Sequence, residues 1–266
     1  MNTKTEITTL DKSFQEQFGI TEVINHKTGS QKDVYIIIKE GSKCVLKLFK
    51  NFGIREVREL DIYDKYNQLA GIPKIIEIKK HGNDTIVFEE FIDGKPLDEI
   101  SEEYRENDKK ISDLILKTID ILVPIWSDDI VHRDLKPSNI IVKDDNCPVI
   151  IDFGIAKDLN STSVTSLGFQ PHTWQFASPE QLLADKAKIS YRTDFFSLGV
   201  MAYYLYHQTY PFGDTREKVE KMFTSKNLLL KTDSKCKLKD GIDSILKFNP
   251  SERPSRFDKM KDLLRI

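Results

Sequence analysis

Hydrophobic and polar positions fall into two regimes along the chain. Residues 1–20 are polar with scattered apolar positions, a pattern that fits a short helix or cap. Strand-like runs follow at 22–25, 34–39 and 43–49, with Gly41-Ser42 as the expected hairpin turn between the last two. The segment 54–68 places Ile54, Val57 and Leu60 at helical spacing and predicts an amphipathic helix. Gly71-Ile72-Pro73 breaks it, and strands at 75–79 and 85–91 flank the turn His81-Gly82-Asn83-Asp84. Asp93-Gly94-Lys95-Pro96 is a strong linker signal. Beyond it, 109–127 predicts a long helix that Pro124 should kink or stop near its end. Val149-Ile150-Ile151 predicts a buried strand ending at Asp152, with Gly154 as the turn residue. A very apolar helix is expected over 194–206, closed by Pro211-Phe212-Gly213.

Composition narrows the functional classes. At 266 residues, 39% of them hydrophobic, the chain can build one large domain or two small ones. A formal net charge of −2 makes nucleic acid or an anionic membrane a poor default partner. The first ten residues lack the apolar core of a signal peptide, and no apolar run approaches the ~20 residues a membrane helix needs. Cys44, Cys147 and Cys236 are widely spaced and odd in number, which suits a reducing cytoplasm better than a disulfide or zinc framework. A basic scatter over 218–239 and an acidic run over 98–106 read as solvated faces.

The chemistry concentrates between Ile130 and Gly154. Asp134 and Asp152 supply carboxylates, Lys136 a cation and Asn139 a neutral oxygen ligand. A carboxylate at a strand end with a nearby amide oxygen suits Mg2+ together with substrate phosphates. A carboxylate free of the metal can orient a hydroxyl and take its proton. A lysine beside it can hold the charge of a phosphoryl group in flight. The implied reaction is phosphate transfer to an alcohol.

His132-Arg133-Asp134-Leu135-Lys136-Pro137-Ser138-Asn139 and Asp152-Phe153-Gly154 closely resemble the catalytic core of eukaryotic-type protein kinases. The resemblance covers about residues 21–264. It implies an α+β, bilobal fold: a small antiparallel β lobe with one key helix (1–92) and a larger helical lobe (93–266), together a single kinase domain over 1–266. It further implies transfer of the γ-phosphate of ATP to protein Ser or Thr, self-phosphorylation included, with Mg2+ or its substitute Mn2+. By resemblance Asp134 is the base, Lys136 contacts the γ-phosphate, and Asn139 and Asp152 hold the metal. Lys47 stands where the family has the last residue of Val-Ala-Ile-Lys and would hold the α- and β-phosphates. Its expected partner is Glu59 rather than Glu56, because Ile62 and Tyr63 follow Glu59 at the family's spacing. Gly29, Val34, Val45 and Ile141 would line the nucleotide site. The Glu90 carbonyl and Ile92 amide would bond adenine. Glu89 would guard the rear of that pocket, where a charge must be solvated or paired. His132, Arg133, Phe153, Glu180, Asp194 and Arg253 fill structural positions. Among these, Asp194 would tie the catalytic loop to the central helix, and Arg253 would pair with Glu180. Arg133 would dock a phosphate on Ser161, Thr162, Ser163, Thr165 or Ser166. Thr173 together with Lys136 marks the Ser/Thr branch of the family.

The pattern departs at the phosphate-covering loop, where the family has Gly-x-Gly-x-x-Gly-x-Val. Residues 27–34 read Lys-Thr-Gly-Ser-Gln-Lys-Asp-Val and keep only Gly29. Lys27 and Lys32 would either offer ammonium groups to the phosphates or obstruct them, so ATP binding is expected to be retained but weakened. Ser178 and Trp174 replace the commoner Ala and Pro. Two alternatives remain: a pseudokinase serving as a nucleotide-regulated binding module, and a small-molecule phosphotransferase. The activation segment, Asp194 and Arg253 favour a protein substrate over the latter. The expected partners are that substrate and a separate regulatory protein, with no nucleic acid or membrane, for a cytoplasmic monomer or transient dimer.

Overall fold

A computed structural model describes residues 10–29, 32–49, 53–82, 84–153, 157–158, 174–226, 228, 230 and 232–266. They form two compact units, one running to Gln68 with Pro73–Ile92, the other Leu69–Ile72 with Asp93–Ile266.

The first unit is built on an antiparallel sheet. Its elements are α1 (Lys12–Phe18), β1 (Ile20–Thr28), β2 (Lys32–Lys39), β3 (Ser42–Phe49), α2 (Ile54–Lys65), β4 (Ile75–His81) and β5 (Asp84–Glu90), with strand order β1-β2-β3-β5-β4. Asp11 caps α1 by accepting from the Phe14 amide at 2.7 Å, and Gly19 ends it in the left-handed conformation at φ 67°. The β2–β3 turn is Glu40-Gly41, one residue earlier than expected. Both residues have positive φ, 51° and 78°, which matches the twist of a two-residue hairpin and leaves Ser42 in the strand. One face of the sheet buries Tyr35, Ile37, Leu46, Leu48, Ile86 and Phe88 with Phe14 and Phe18 of α1. The other face carries Phe49 and Val87 with Leu60 of α2. The apolar stripe of α2 is rotated from the expected one: Glu59, Leu60, Ile62 and Tyr63 are buried while Val57 is exposed. A helix presenting Glu59 to the sheet necessarily turns Val57 outwards.

The second unit contains short strands and helices. These are β6 (Lys95–Pro96), α3 (Asp108–Ser127), β7 (Ile130–Val131), β8 (Ile140–Val142), β9 (Pro148–Ile150), β10 (Lys157–Asp158), α4 (Pro179–Leu182), α5 (Tyr191–His207), α6 (Arg216–Ser225), α7 (Lys239–Ile245) and α8 (Phe257–Leu264). Strands β6-β8-β9 form one small sheet and β10-β7 another. Pro124 does not stop α3, which runs on to Ser127. Ile121, Leu122, Ile125 and Trp126 are buried on both sides of the proline, and tertiary packing holds the helix across the lost backbone bond. Helix α5 is buried nearly all round, from Thr193 to Tyr206 apart from Tyr204, as its apolar sequence requires. Gly199 lets α7 approach: a Cβ there would lie 2.7 Å from Ile245 Cγ2. The architecture is α+β, with an antiparallel N-terminal sheet and a helical C-terminal part.

Candidate active site

In the second unit, the register of two strands gathers the candidate residues. Ile140 pairs with Ile150, so Asn139 just before β8 lies beside Ile151 and Asp152 just after β9. The Ile151 amide donates to the Asn139 carbonyl at 2.9 Å. Asn139 Nδ2 donates to the Asp134 carbonyl at 2.8 Å and to Asp134 Oδ2 at 3.0 Å. Both amide hydrogens are thereby used, and Oδ1 is the atom left for a cation. Lys136 Nζ lies 3.0 Å from the same Asp134 Oδ2. Asp134 Oδ1 is buried and has no hydrogen-bond partner among the described residues. Burial raises the Asp134 pKa above the ordinary carboxylate value; Lys136 counters this and Asp152 adds to it.

The loop carrying Asp134 is pinned from below by Asp194 in the first turn of α5. Asp194 Oδ2 accepts from the His132 amide and from Trp126 Nε1, and Oδ1 accepts from the Arg133 amide, all at 2.8 Å. Burial nevertheless raises its pKa to about 6. Arg133 has φ 67°, a conformation L side chains rarely adopt. It is held there by Asp194 on its amide and by Gln181 Nε2, which donates to its carbonyl at 2.7 Å. Asp152 also has a left-handed backbone, φ 69°. His132 is fully buried, packs on Phe153 with ring centroids 4.7 Å apart, and has its pKa pushed down to about 4 by burial. Its Nδ1 accepts from the Asp134 amide at 3.2 Å, so the ring is neutral at physiological pH. Glu180 and Arg253 form a bidentate pair at 2.7 and 2.8 Å. Ile141 is half-buried on β8.

In the first unit, Lys47 on β3 is buried among three polar groups. Its Nζ is 2.7 Å from Glu89 Oε1, 3.4 Å from Glu59 Oε1 and 3.4 Å from Tyr63 Oη. Lys32 Nζ reaches both oxygens of Glu59, at 3.0 and 3.3 Å. The Lys32 ammonium is thus paired with a carboxylate. Glu89 is 3% exposed; its ion pair with Lys47 offsets part of the burial cost expected there, although Oε1 has no hydrogen-bond partner of good geometry among the described residues. Burial still raises its pKa, with Lys47 as the main opposing influence. Val34 and Val45 are half-buried on the same face, Val34 opposite Lys47 and Val45 opposite Glu89. The Gly29 amide donates to Asp33 Oδ1 at 3.2 Å, and a Cβ on Gly29 would sit 2.6 Å from the Lys32 carbonyl. That close approach explains the one glycine retained in this loop. Glu90 is exposed and Ile92 half-buried at the end of the unit.

Gly154, Ser161, Thr162, Ser163, Thr165, Ser166 and Thr173 lie outside the described residues, as does the side chain of Glu56. Trp126 and Gln181 escaped sequence reasoning. Each looks like an ordinary core residue until the fold brings the polar end of Trp126 to Asp194 and that of Gln181 to the Arg133 carbonyl.

A protein kinase domain model matches residues 21–265. A probable serine/threonine-protein kinase of Clostridium acetobutylicum is 34% identical over 138 residues, covering 50% of this chain and 20% of that protein. Serine/threonine-protein kinase D of Synechocystis sp. is 29% identical over 230 residues, covering 84% of this chain and 43% of that protein. An Aurora kinase of Debaryomyces hansenii is 27% identical over 213 residues, covering 80% and 49%. The chain spans less than half the length of each of these relatives. With the domain match running over nearly all of the sequence, this chain belongs to the protein kinase family.

Proposed function

We propose that the chain is an ATP-dependent protein serine/threonine kinase, able to phosphorylate itself as well as a protein substrate. The observation that carries this reading is the setting of Asp134. One oxygen is held by Lys136 and Asn139, while the other is buried without a partner among the described residues. In the reaction, the acceptor hydroxyl oxygen bonds to the γ-phosphorus as the bond from that phosphorus to the β–γ bridging oxygen breaks. The hydroxyl proton passes to Asp134 Oδ1, and ADP leaves. A raised pKa makes Asp134 a better proton acceptor. Lys136 places a cation where the charge of the moving phosphoryl group lies. Lys47 holds the α- and β-phosphates. Asn139 and Asp152 offer an amide oxygen and a carboxylate, hard donors that fit Mg2+; when bound, that ion would offset phosphate charge. Arg133 receives the phosphate of a modified hydroxyl among Ser161, Thr162, Ser163, Thr165 and Ser166.

The names of the relatives support the Ser/Thr class. Among the described residues no helix is long and apolar enough to cross a membrane. A cytoplasmic monomer or transient dimer governed by a separate protein completes the reading. A second reading, a nucleotide-regulated binding module, is favoured by the glycine-poor loop and by the commitment of Lys32 to Glu59. Incubation with γ-labelled ATP, Mg2+ and a generic basic protein separates the two. Label recovered as phosphoserine or phosphothreonine supports the kinase. A melting temperature raised by ATP without any transfer favours the binding module.

A further inference from the structure

The buried charges of the first unit form a line. Lys47 faces Val87 across β3–β5 and Val34 across β2–β3. Glu89 lies two residues beyond Val87, and Lys32 two residues before Val34. Side chains alternate along a strand, so Lys32, Lys47 and Glu89 share one sheet face as diagonal neighbours. Glu59 descends on that face from α2. Both ammonium groups reach the same atom, Glu59 Oε1, Lys32 at 3.0 Å and Lys47 at 3.4 Å. A single carboxylate thereby serves two cations. Glu89 approaches Lys47 to 2.7 Å, closer than Glu59 comes. The resulting order is Lys32, Glu59, Lys47, Glu89, alternating in sign.

We propose that Glu89 is a second anchor of Lys47, so that positioning of this cation is divided between a sheet carboxylate and the helix carboxylate Glu59. Resting on the kinase reading, this makes Glu89 a positioning residue that acts on nucleotide through Lys47. A carboxylate on the neighbouring strand moves with β3, so Lys47 stays in place even when Glu59 turns to Lys32 or α2 shifts. Lys32 competes with Lys47 for Glu59 Oε1.

Charge-neutral variants with one anchor each test the division. Lys32→Met/Glu59→Gln keeps Glu89 of the two carboxylates, and Lys32→Met/Glu89→Gln keeps Glu59. Lys32→Met/Glu59→Gln/Glu89→Gln removes both. Two readouts are taken: kcat and KM for ATP, and the rate at which a succinimidyl ester acylates Lys47, followed by mass spectrometry. Each one-anchor variant should keep kcat/KM for ATP within about tenfold of Lys32→Met, and Lys47 acylation within about threefold. Loss of both anchors should cost more than the product of the single losses and expose Lys47 to acylation at least tenfold faster. Lys32→Met/Glu59→Gln behaving like the variant without anchors would overturn the proposal, as would an acylation rate unmoved by loss of both. The two one-anchor variants decide the matter even where the third fails to fold. A wild-type chain without any transfer would defeat the kinase reading alone, since the acylation rates test the anchor without turnover.

Discussion

Replacing Glu180 by Gln should be among the most damaging isosteric changes in the second unit. Arg253 is buried, with a side chain that is fully covered, and every one of its five N–H donors has a partner. Nη1 bonds Glu180 Oε1 and the Arg192 carbonyl, Nη2 bonds Glu180 Oε2 and the Phe248 carbonyl, and Nε bonds the Lys247 carbonyl. Thr193 Oγ1 donates to Glu180 Oε1 as well. Glutamine keeps the shape but removes the charge and turns an amide NH2 towards a donor. An uncompensated guanidinium is then left in the interior. Removing one partner of a buried pair costs about 3–5 kcal/mol. At 2–4 °C per kcal/mol for a chain of this size, the melting temperature should fall by roughly 6–20 °C. Urea denaturation of Glu180→Gln, Arg253→Met and the double variant measures both the loss and its coupling. The double variant should lose less than the sum of the singles by about 2 kcal/mol, within the range of directly contacting residues. A Glu180→Gln variant within about 1 kcal/mol of wild type, or singles that simply add, would refute the argument.

Trp126→Phe removes one of three donors to a buried carboxylate; a stability loss of about 1.5–3 kcal/mol by denaturant titration and a fall in kcat larger than the change in ATP KM are expected. Asp194 and His132 should give opposite pH dependences. Asp194 titrates at about 6 in the folded chain against an ordinary 3.8, so its contribution is greatest at low pH and is lost as pH rises through about 6. His132 titrates at about 4 against 6.5, so its contribution is present above 6.5 and lost as pH falls towards 4. Each amounts to about 3 kcal/mol, and unfolding free energies of Asp194→Asn and His132→Gln between pH 4 and 7 should each lack one slope that wild type has. Gly29→Ala should raise the ATP KM, because its Cβ meets the Lys32 carbonyl at 2.6 Å and the loop must shift; an unchanged KM would show that this approach does not matter for nucleotide.

The strands and helices were legible because their periodicities are strong, and the errors fall where one contact outweighs pattern. Val57 fits the helical stripe of α2, yet the helix instead buries Leu60, Ile62 and Tyr63 together with Glu59, which pairs with Lys32 and Lys47. Pro124 signals a break, but buried neighbours on both sides keep α3 intact. At the candidate site the residue types of the 132–139 and 152–153 stretches were legible by resemblance, and the structure supplies the distances. The competition around Lys47 was not legible, because nothing in a strand sequence says which residues of the neighbouring strands share its face. Glu89 was legible by resemblance as a charge at the rear of the nucleotide pocket needing a partner, but not as a partner of Lys47. Trp126 and Gln181 carry no local signal at all: their roles arise from α3 meeting Asp194 of α5 and from α4 meeting Arg133 beside Asp134.

The central claim is that Asp134 takes the proton of the acceptor hydroxyl. Phosphate transfer from γ-labelled ATP to a protein hydroxyl by wild type and Asp134→Asn, each with a parallel ATP-binding measurement, tests it most directly. The variant should lose about 10²–10⁴-fold in kcat with ATP affinity and melting temperature nearly unchanged. Transfer by Asp134→Asn at more than a tenth of the wild-type rate would contradict the assignment.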